Sequence, residues 1–506
     1  MPVSISPRLW PLGALLAWGG AILWFGLIRV DAYGLDEGAA LALLLNWSVA
    51  DMIANPVITF GGPDFRALLF IPLGLYWSGS MLAAKIFTLL VCFGAALLLH
   101  RWTQRREGDG EAALLATGLL LISPALLGQA DAIGTGPYLL ALFGLGWLLD
   151  QKYRASEHRI SSLYFIQALL VAITVTLHPM GLAYPLALAW RWQQAPKSEQ
   201  QKRQVWISIA IATGVILAMR TGWVAIPWLS DPLASLSYAV IGNPSDDPVA
   251  TNWLAGLIPA LLLLAVVIKS GRQLLDDVFG ASLLLATLVG LLAADRSWSL
   301  VALALLLYAG TPLLIRLNQG LLGGKAGFFG QRGLVMILLF VSATVFMQAD
   351  RAYAAWLKSG LLSPSDELIQ ALAGEAAKHD QPFLAASQWP ARSMIACRRD
   401  VLPLPPIAAD GPAQLKMIKG ITHLIFDHNN PDFSPLAKNF AALTDVTETL
   451  NILPGGVLLK MREVDGKIHA EPEPAPPVKG DTPAIPEAVK TDNDNHGSAH
   501  AAPSNP

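Results

Sequence analysis

Charge is scarce in this chain of 506 residues, where Asp, Glu, Lys and Arg make up 14% and hydrophobic residues 54%. Soluble domains carry about 25% charged residues. The deficit excludes an ordinary soluble enzyme, because the apolar residues gather in runs near the roughly 20 residues that cross a bilayer. An excess of either sign is also missing. The 35 basic and 37 acidic side chains leave a net charge of −2, so no bulk field favours nucleic acid. Cysteine is nearly absent. Cys92 lies in an apolar run and Cys397 in the polar C-terminal third, a spacing that suits neither a disulfide nor a metal site. Both are expected to pack, and no metal or cofactor is implied.

What is present is a series of apolar segments. The first, from about Leu9 to Ile28, is longer than a signal-peptide core and is not followed by a small-residue cleavage site, so it is expected to remain as a span. Runs of bilayer length predict eleven spans, near 9–29, 80–100, 111–128, 136–150, 162–177, 180–193, 204–222, 252–269, 273–294, 298–316 and 332–350. With the N-terminus inside, inner segments hold sixteen Lys and Arg and outer ones four, Arg29, Arg66, Arg220 and Arg296. That bias satisfies the positive-inside rule, and the odd count puts the chain after Asp350 outside.

The first outer segment, 30–79, begins with Tyr33-Gly34-Leu35-Asp36-Glu37-Gly38 and a helix-like run to about Met52. It continues through a turn-rich stretch to Asp64-Phe65-Arg66. From about Ser363 the composition is that of a small soluble unit. Helix-like segments (Pro364 to His379, Pro390 to Cys397, Pro412 to Ile418, Pro435 to Asp445) alternate with β-prone runs (Pro382 to Ala386, Val401 to Leu404, His423 to Asp427, Gly456 to Met461). The expected fold is a polytopic α-helical membrane protein: a transmembrane part over 1–350, an extracytoplasmic α/β domain over 351–464, and a Pro-rich disordered tail over 465–506.

On this topology Asp36, Glu37, Asp64, Arg66, Lys85, Asp131, His178, Arg220, Asp295 and Arg296 all fall at or just beneath the outer face. Carboxylates beside cations at one interface suit a reaction in which an acceptor hydroxyl loses a proton while a phosphate leaves. Plainer roles exist for each. Asp36 and Glu37 can begin a helix, Lys85 can snorkel to the interface, His178 can cap the turn before Pro179, Asp295 and Arg296 can pair locally, and Arg220 can anchor a span end.

The Asp36-Glu37 pair after the first span, then Asp64-Phe65-Arg66-Ala67-Leu68-Leu69-Phe70, resemble the GT-C glycosyltransferases, in the branch of protein O-mannosyltransferases and lipid A aminoarabinose transferases. Gly79-Ser80-Met81-Leu82-Ala83-Ala84-Lys85-Ile86 is similar to that family's approach to its second span, where Lys85 takes the place of a basic residue that is usually Arg. Leu121 to Gly128 and Thr176 to Gly181 look like the family's third span and a later span junction. The resemblance implies an inverting transferase that moves a sugar from a polyprenyl-phosphate donor to a lipid, glycan or protein acceptor, at the outer face of a bacterial inner membrane, among membrane lipids and without nucleic acid. By position, Asp36 would be the catalytic carboxylate with Glu37 beside it. Asp64 and Arg66 would line the cavity, and Lys85 would meet the donor phosphate. The family's Asp near the start of the fourth span has Gly136 in its place here, with Asp131 the candidate substitute. Two other functions fit the composition. One is a lipid-linked polysaccharide ligase or polymerase relying on Arg220, and the other is a non-catalytic scaffold or carrier.

Overall fold

The computed structural model describes residues 10–468 apart from 30, 32, 50–65, 67–68, 71–80, 109, 156–160, 195–231, 242–252, 292–295, 323–327, 379–382, 406–409, 428–445, 454–455 and 465–466. Thirteen of its helices precede the C-terminal unit: α1 (Trp10–Phe25), α2 (Glu37–Val49), α3 (Met81–Glu107), α4 (Gly110–Leu121), α5 (Pro124–Asp131), α6 (Thr135–Ala155), α7 (Ser161–Leu177), α8 (Ala183–Gln194), α9 (Pro232–Ile241), α10 (Trp253–Leu274), α11 (Val278–Gly290), α12 (Arg296–Leu322) and α13 (Phe328–Ser359).

Among the described residues, four helical stretches are long and apolar enough to cross a membrane: Met81–Glu107, Ala255–Leu274, Arg296–Asn318 and Val335–Lys378. The pair α4 and α5, bent by 50°, makes a fifth if counted as one broken span, and Pro11–Phe25, Phe165–Leu177 and Val278–Gly290 are shorter apolar helices. Helix occupies the other predicted intervals as well, except 204–222, which lies outside the described residues. Proline accounts for the breaks. Pro124 opens α5 after Ser123, whose hydroxyl accepts the Leu126 N–H at 3.3 Å. Pro179 ends α7 and opens a 3-10 turn, Pro179–Leu182, that leads into α8.

Several buried polar side chains in the bundle are paired internally, as hydrocarbon surroundings favour. Thr88 and Tyr138 share a hydrogen bond at 2.9 Å. The Tyr308 hydroxyl donates to Thr117 at 2.9 Å, and the Trp298 indole to the Thr287 carbonyl at 2.8 Å. Cys92 and Cys397 are free thiols, the first buried and the second half-buried.

The C-terminal unit comprises α14 (Pro364–Lys378), β1 (Ala385–Ser387), α15 (Pro390–Cys397), β2 (Val401–Pro403), α16 (Gly411–Met417), β3 (His423–Phe426), β4 (Thr447–Leu453) and β5 (Gly456–Met461). Its five strands form one sheet in the order β2-β1-β3-β5-β4, with β1 parallel to both neighbours and β5 antiparallel to β3 and β4. Alternation along the strands separates two apolar faces. Ala386, Leu424, Phe426, Val457, Leu459 and Met461 join Leu415 and Ile418 in one cluster, whereas Ala385, Ile425 and Leu458 join α14 and α15 in the cluster that is continuous with the membrane helices. The sheet is thereby packed onto the bundle. A hairpin follows, β6 (Glu463–Val464) with β7 (Lys467–Ile468), so residues 467–468, assigned from composition to the tail, are paired as strand.

Candidate active site

A cavity of about 490 Å³ lies between the bundle and the C-terminal unit, a size typical of small-molecule sites. Its floor is the loop before α2, with Gly34, Leu35 and Asp36. Its walls are Arg66, the α5–α6 turn with Gln129, Gly134 and Thr135, His178, and Arg296 with Ser297 of α12. Trp356 of α13 closes one side, and Ser363, Asp366 and Arg392 form the roof.

Asp36 is the N-cap of α2. Its Oδ1 accepts the Ala39 N–H at 2.7 Å, and its own N–H donates to the Ala132 carbonyl at 3.4 Å. Arg66 binds the same carboxylate with both arms, Nη1 to Oδ2 at 2.8 Å and Nη2 to Oδ1 at 3.1 Å. That fork geometry is one Arg provides and Lys does not. Nη1 also donates to the Ile133 carbonyl at 2.5 Å. Ile133 has φ of 54°, a left-handed conformation that costs a β-branched residue energy and persists only where the surroundings enforce it. Gly34, with φ of 80°, takes the same region without that cost. The Arg66 side chain is 2% exposed and that of Asp36 41%, so the cation is sunk in the wall while the carboxylate faces the cavity.

The loop is clamped from above. Asp366 accepts the Gly34 N–H at 3.2 Å and the Ser363 hydroxyl at 2.7 Å, and it also holds Arg392. Glu37 points away from the cavity, and its carboxylate accepts the Ala391 and Arg392 N–H groups at the start of α15. Burial pushes its carboxyl up to about 7, against the opposing pull of those N–H groups and of the Arg392 charge. Glu37 is not among the residues that line the cavity; it ties the loop before α2 to the C-terminal unit.

Lys85 and Asp131 also stand apart from the cavity lining. The Lys85 ammonium, fully buried, meets Asp131 Oδ1 at 2.8 Å. The Arg29 N–H donates to the same oxygen at 2.7 Å, and the Tyr353 hydroxyl to Oδ2 at 2.5 Å. Three donors thus hold Asp131, and it is not among the residues that line the cavity. At Gly136 a Cβ would lie 3.1 Å from Leu300 Cδ2 and 3.3 Å from the Ser297 carbonyl oxygen. The polar group there is the Gln129 side-chain carbonyl, which accepts the Gly136 N–H and the Ser297 hydroxyl, each at 3.3 Å.

His178 lines the cavity and also caps the 3-10 turn, Nδ1 accepting the Met180 N–H at 3.1 Å. Gly181 lets that turn lie against α7, since a Cβ would come within 1.8 Å of the Thr174 carbonyl oxygen. Arg296 reaches the cavity with its guanidinium 5.1 Å from the Tyr238 ring centre. Of the residues singled out from sequence, the structure thus gathers Asp36, Arg66, His178 and Arg296. Asp64, Arg220 and Asp295 lie outside the described residues. Gln129, Asp366 and Arg392 escaped notice. Gln129 carried a signal, as an amide in an apolar stretch, whereas Ser363-Pro364-Ser365-Asp366 reads as a helix cap and Arg392 as a solvated charge. Among the described residues, no group of three or more His, Cys, Asp or Glu gathers as for a metal ion.

No protein-family model matches the sequence, and no curated protein matches it. Solved structures do. The archaeal oligosaccharyltransferase AglB from Archaeoglobus fulgidus, in complex with an inhibitory peptide and a dolichol-phosphate, superposes with a TM-score of 0.53 at 12% identity, over 90% of this chain and 74% of that one. ArnT from Cupriavidus metallidurans, in the apo state, gives 0.51 at 12% identity, over 90% of this chain and 98% of that one. The likeness is one of fold, and it agrees with the GT-C resemblance of the sequence. The chain is a membrane protein with the GT-C fold.

Proposed function

We propose that this protein is a membrane glycosyltransferase that moves a sugar from a polyprenyl-phosphate donor to an acceptor hydroxyl or amine at the outer membrane face. One observation carries the proposal: the Asp36 carboxylate, 41% exposed and held bidentately by a sunken Arg66, looks into a cavity whose other walls bring His178, Arg296 and Arg392. The acceptor heteroatom attacks the anomeric carbon, the bond from that carbon to the phosphate oxygen breaks, and its electron pair leaves with the phosphate. Asp36 orients the acceptor and takes its proton. The cations stabilise the charge that grows on the phosphate. Displacement from the face opposite the phosphate inverts the anomeric centre. Because the phosphate is already a good leaving group, these side chains suffice for the step.

Lys85 and Asp131 serve as framework, and Glu37 as the tie to the roof. The positive-inside distribution of Lys and Arg supports an outward cavity and an outward C-terminal unit. The test is transfer of radiolabelled sugar from polyprenyl-phosphate in sealed right-side-out vesicles, with Asp36→Asn beside the wild type. Transfer in the wild type that vanishes in the variant at equal protein level supports the proposal. Near-normal transfer by Asp36→Asn removes the carboxylate from the mechanism.

A further inference from the structure

A second cavity, about 380 Å³, lies on the far side of α13 from the candidate active site. The two faces of that helix are distinct. Tyr353 and Trp356 turn towards Asp131 and the active-site cavity, while Met347, Asp350, Arg351, Ala354, Ala355 and Lys358 form the stripe lining the second cavity. Their spacing of three and four is that of one helix face. The opposite wall is apolar, with Ile22 and Phe25 of α1 and Leu121 of α4. Phe25 and Met347 are more than half exposed, so the groove opens towards the surrounding lipid.

Charges of both signs sit along the polar end of this otherwise apolar slot. Arg351 and Lys358 are exposed, two turns apart on the same face. Asp350 Oδ1 is sealed from solvent without a hydrogen-bond partner among the described residues, a costly state for a carboxylate. A hydrocarbon chain fits the slot, a phosphate fits the two cations, and the Asp350 carboxylate calls for a cationic donor. A polyprenyl phosphate lacks such a donor.

We infer that the groove between α1, α4 and α13 binds a zwitterionic aminophospholipid. Its acyl chain lies on the apolar wall, its phosphate between Arg351 and Lys358, and its ammonium at Asp350. The site shares α13 with the active-site cavity but none of its lining residues, so it stands whether or not the transferase proposal does.

The full-length protein, reconstituted in nanodiscs of equal phosphatidylethanolamine and phosphatidylglycerol, is released into mild detergent, and retained lipid is counted by native mass spectrometry. The wild type is expected to retain phosphatidylethanolamine about tenfold over phosphatidylglycerol, the scale of one charge-assisted hydrogen bond. Asp350→Asn removes that preference and leaves phosphatidylglycerol retention unchanged. Ala355→Trp, at an exposed position of the same wall, fills the groove and lowers retention of both, while an unchanged Tm shows that the bundle is intact. Asp36→Asn retains lipid as the wild type does, which separates this result from failure of the transferase reaction. Equal retention of the two headgroups by the wild type overturns the inference. So does a preference that survives Asp350→Asn, or displacement of phosphatidylethanolamine by equimolar undecaprenyl phosphate.

Discussion

Two acid–base pairs stand near one end of the bundle, and they are built for different purposes. Asp36 and Arg66 meet at 2.8 Å with the carboxylate side chain 41% exposed. Lys85 and Asp131 meet at the same distance with 0% and 4% exposed. The second pair is further saturated by the Arg29 N–H and the Tyr353 hydroxyl, so it joins α3, α5 and α13 without offering an atom to a ligand. Contact distance is the same in both pairs; what differs is the access of the carboxylate to the cavity.

The largest effect that would sharpen this contrast is on rate. Asp36→Asn keeps the N-cap and loses the charge, and transfer is expected to fall by about 100-fold or more at matched protein level, with a drop in Tm in a thermal-shift assay because the sunken Arg66 loses its counter-charge. Lys85→Met should act mainly on stability. It strands a buried carboxylate at a cost of about 3–5 kcal/mol in stability, and pairing it with Asp131→Asn, which removes the charge but keeps an acceptor for the Arg29 N–H or the Tyr353 hydroxyl, should restore part of that loss. A double variant no more stable than Lys85→Met would break the distinction. Arg66→Lys keeps a cation but loses the fork and the Ile133 contact, and is expected to lower kcat/KM about tenfold.

The smallest effect belongs to Glu37. Its carboxyl titrates at about 7 in the folded chain against an ordinary 4.5, so the folded state holds its proton more tightly. Its share of stability is then complete below about pH 4.5 and is lost as pH rises through about 7. Tm measured by calorimetry should fall across that window in the wild type, and Glu37→Gln should flatten the slope. An equal slope in both would show that Glu37 does not sense pH.

The helices and strands with strong punctuation were legible from sequence. Pro390 to Cys397 and Gly456 to Met461 are bounded as their proline, glycine and apolar pattern implied. Strand β4, Thr447–Leu453, was not anticipated. Three of its residues, Glu448, Thr449 and Ile452, are exposed, and its register with β5 shifts between Thr449 and Asn451, so its pattern of alternation is interrupted. At the site, the place of Asp36 after the first predicted span singled it out, and its carboxylate lines the cavity. The clamp by Asp366 and Arg392 did not, since both come from more than 300 residues away and look like ordinary cap and surface charges.

The sequence by itself determined that this is a membrane-embedded bundle with a polar α/β unit after it, because hydrophobic run length and strand alternation are local properties. It also singled out Asp36, Arg66, His178 and Arg296 among the charged and titratable groups. Only the tertiary structure decided which of them share a cavity. It turned Glu37 towards α15, sealed Lys85 against Asp131, and brought Gln129 to the polar position beside Gly136. Those outcomes depend on the direction of side chains across helix contacts and on burial, and neither is encoded in the spacing of residues along the chain.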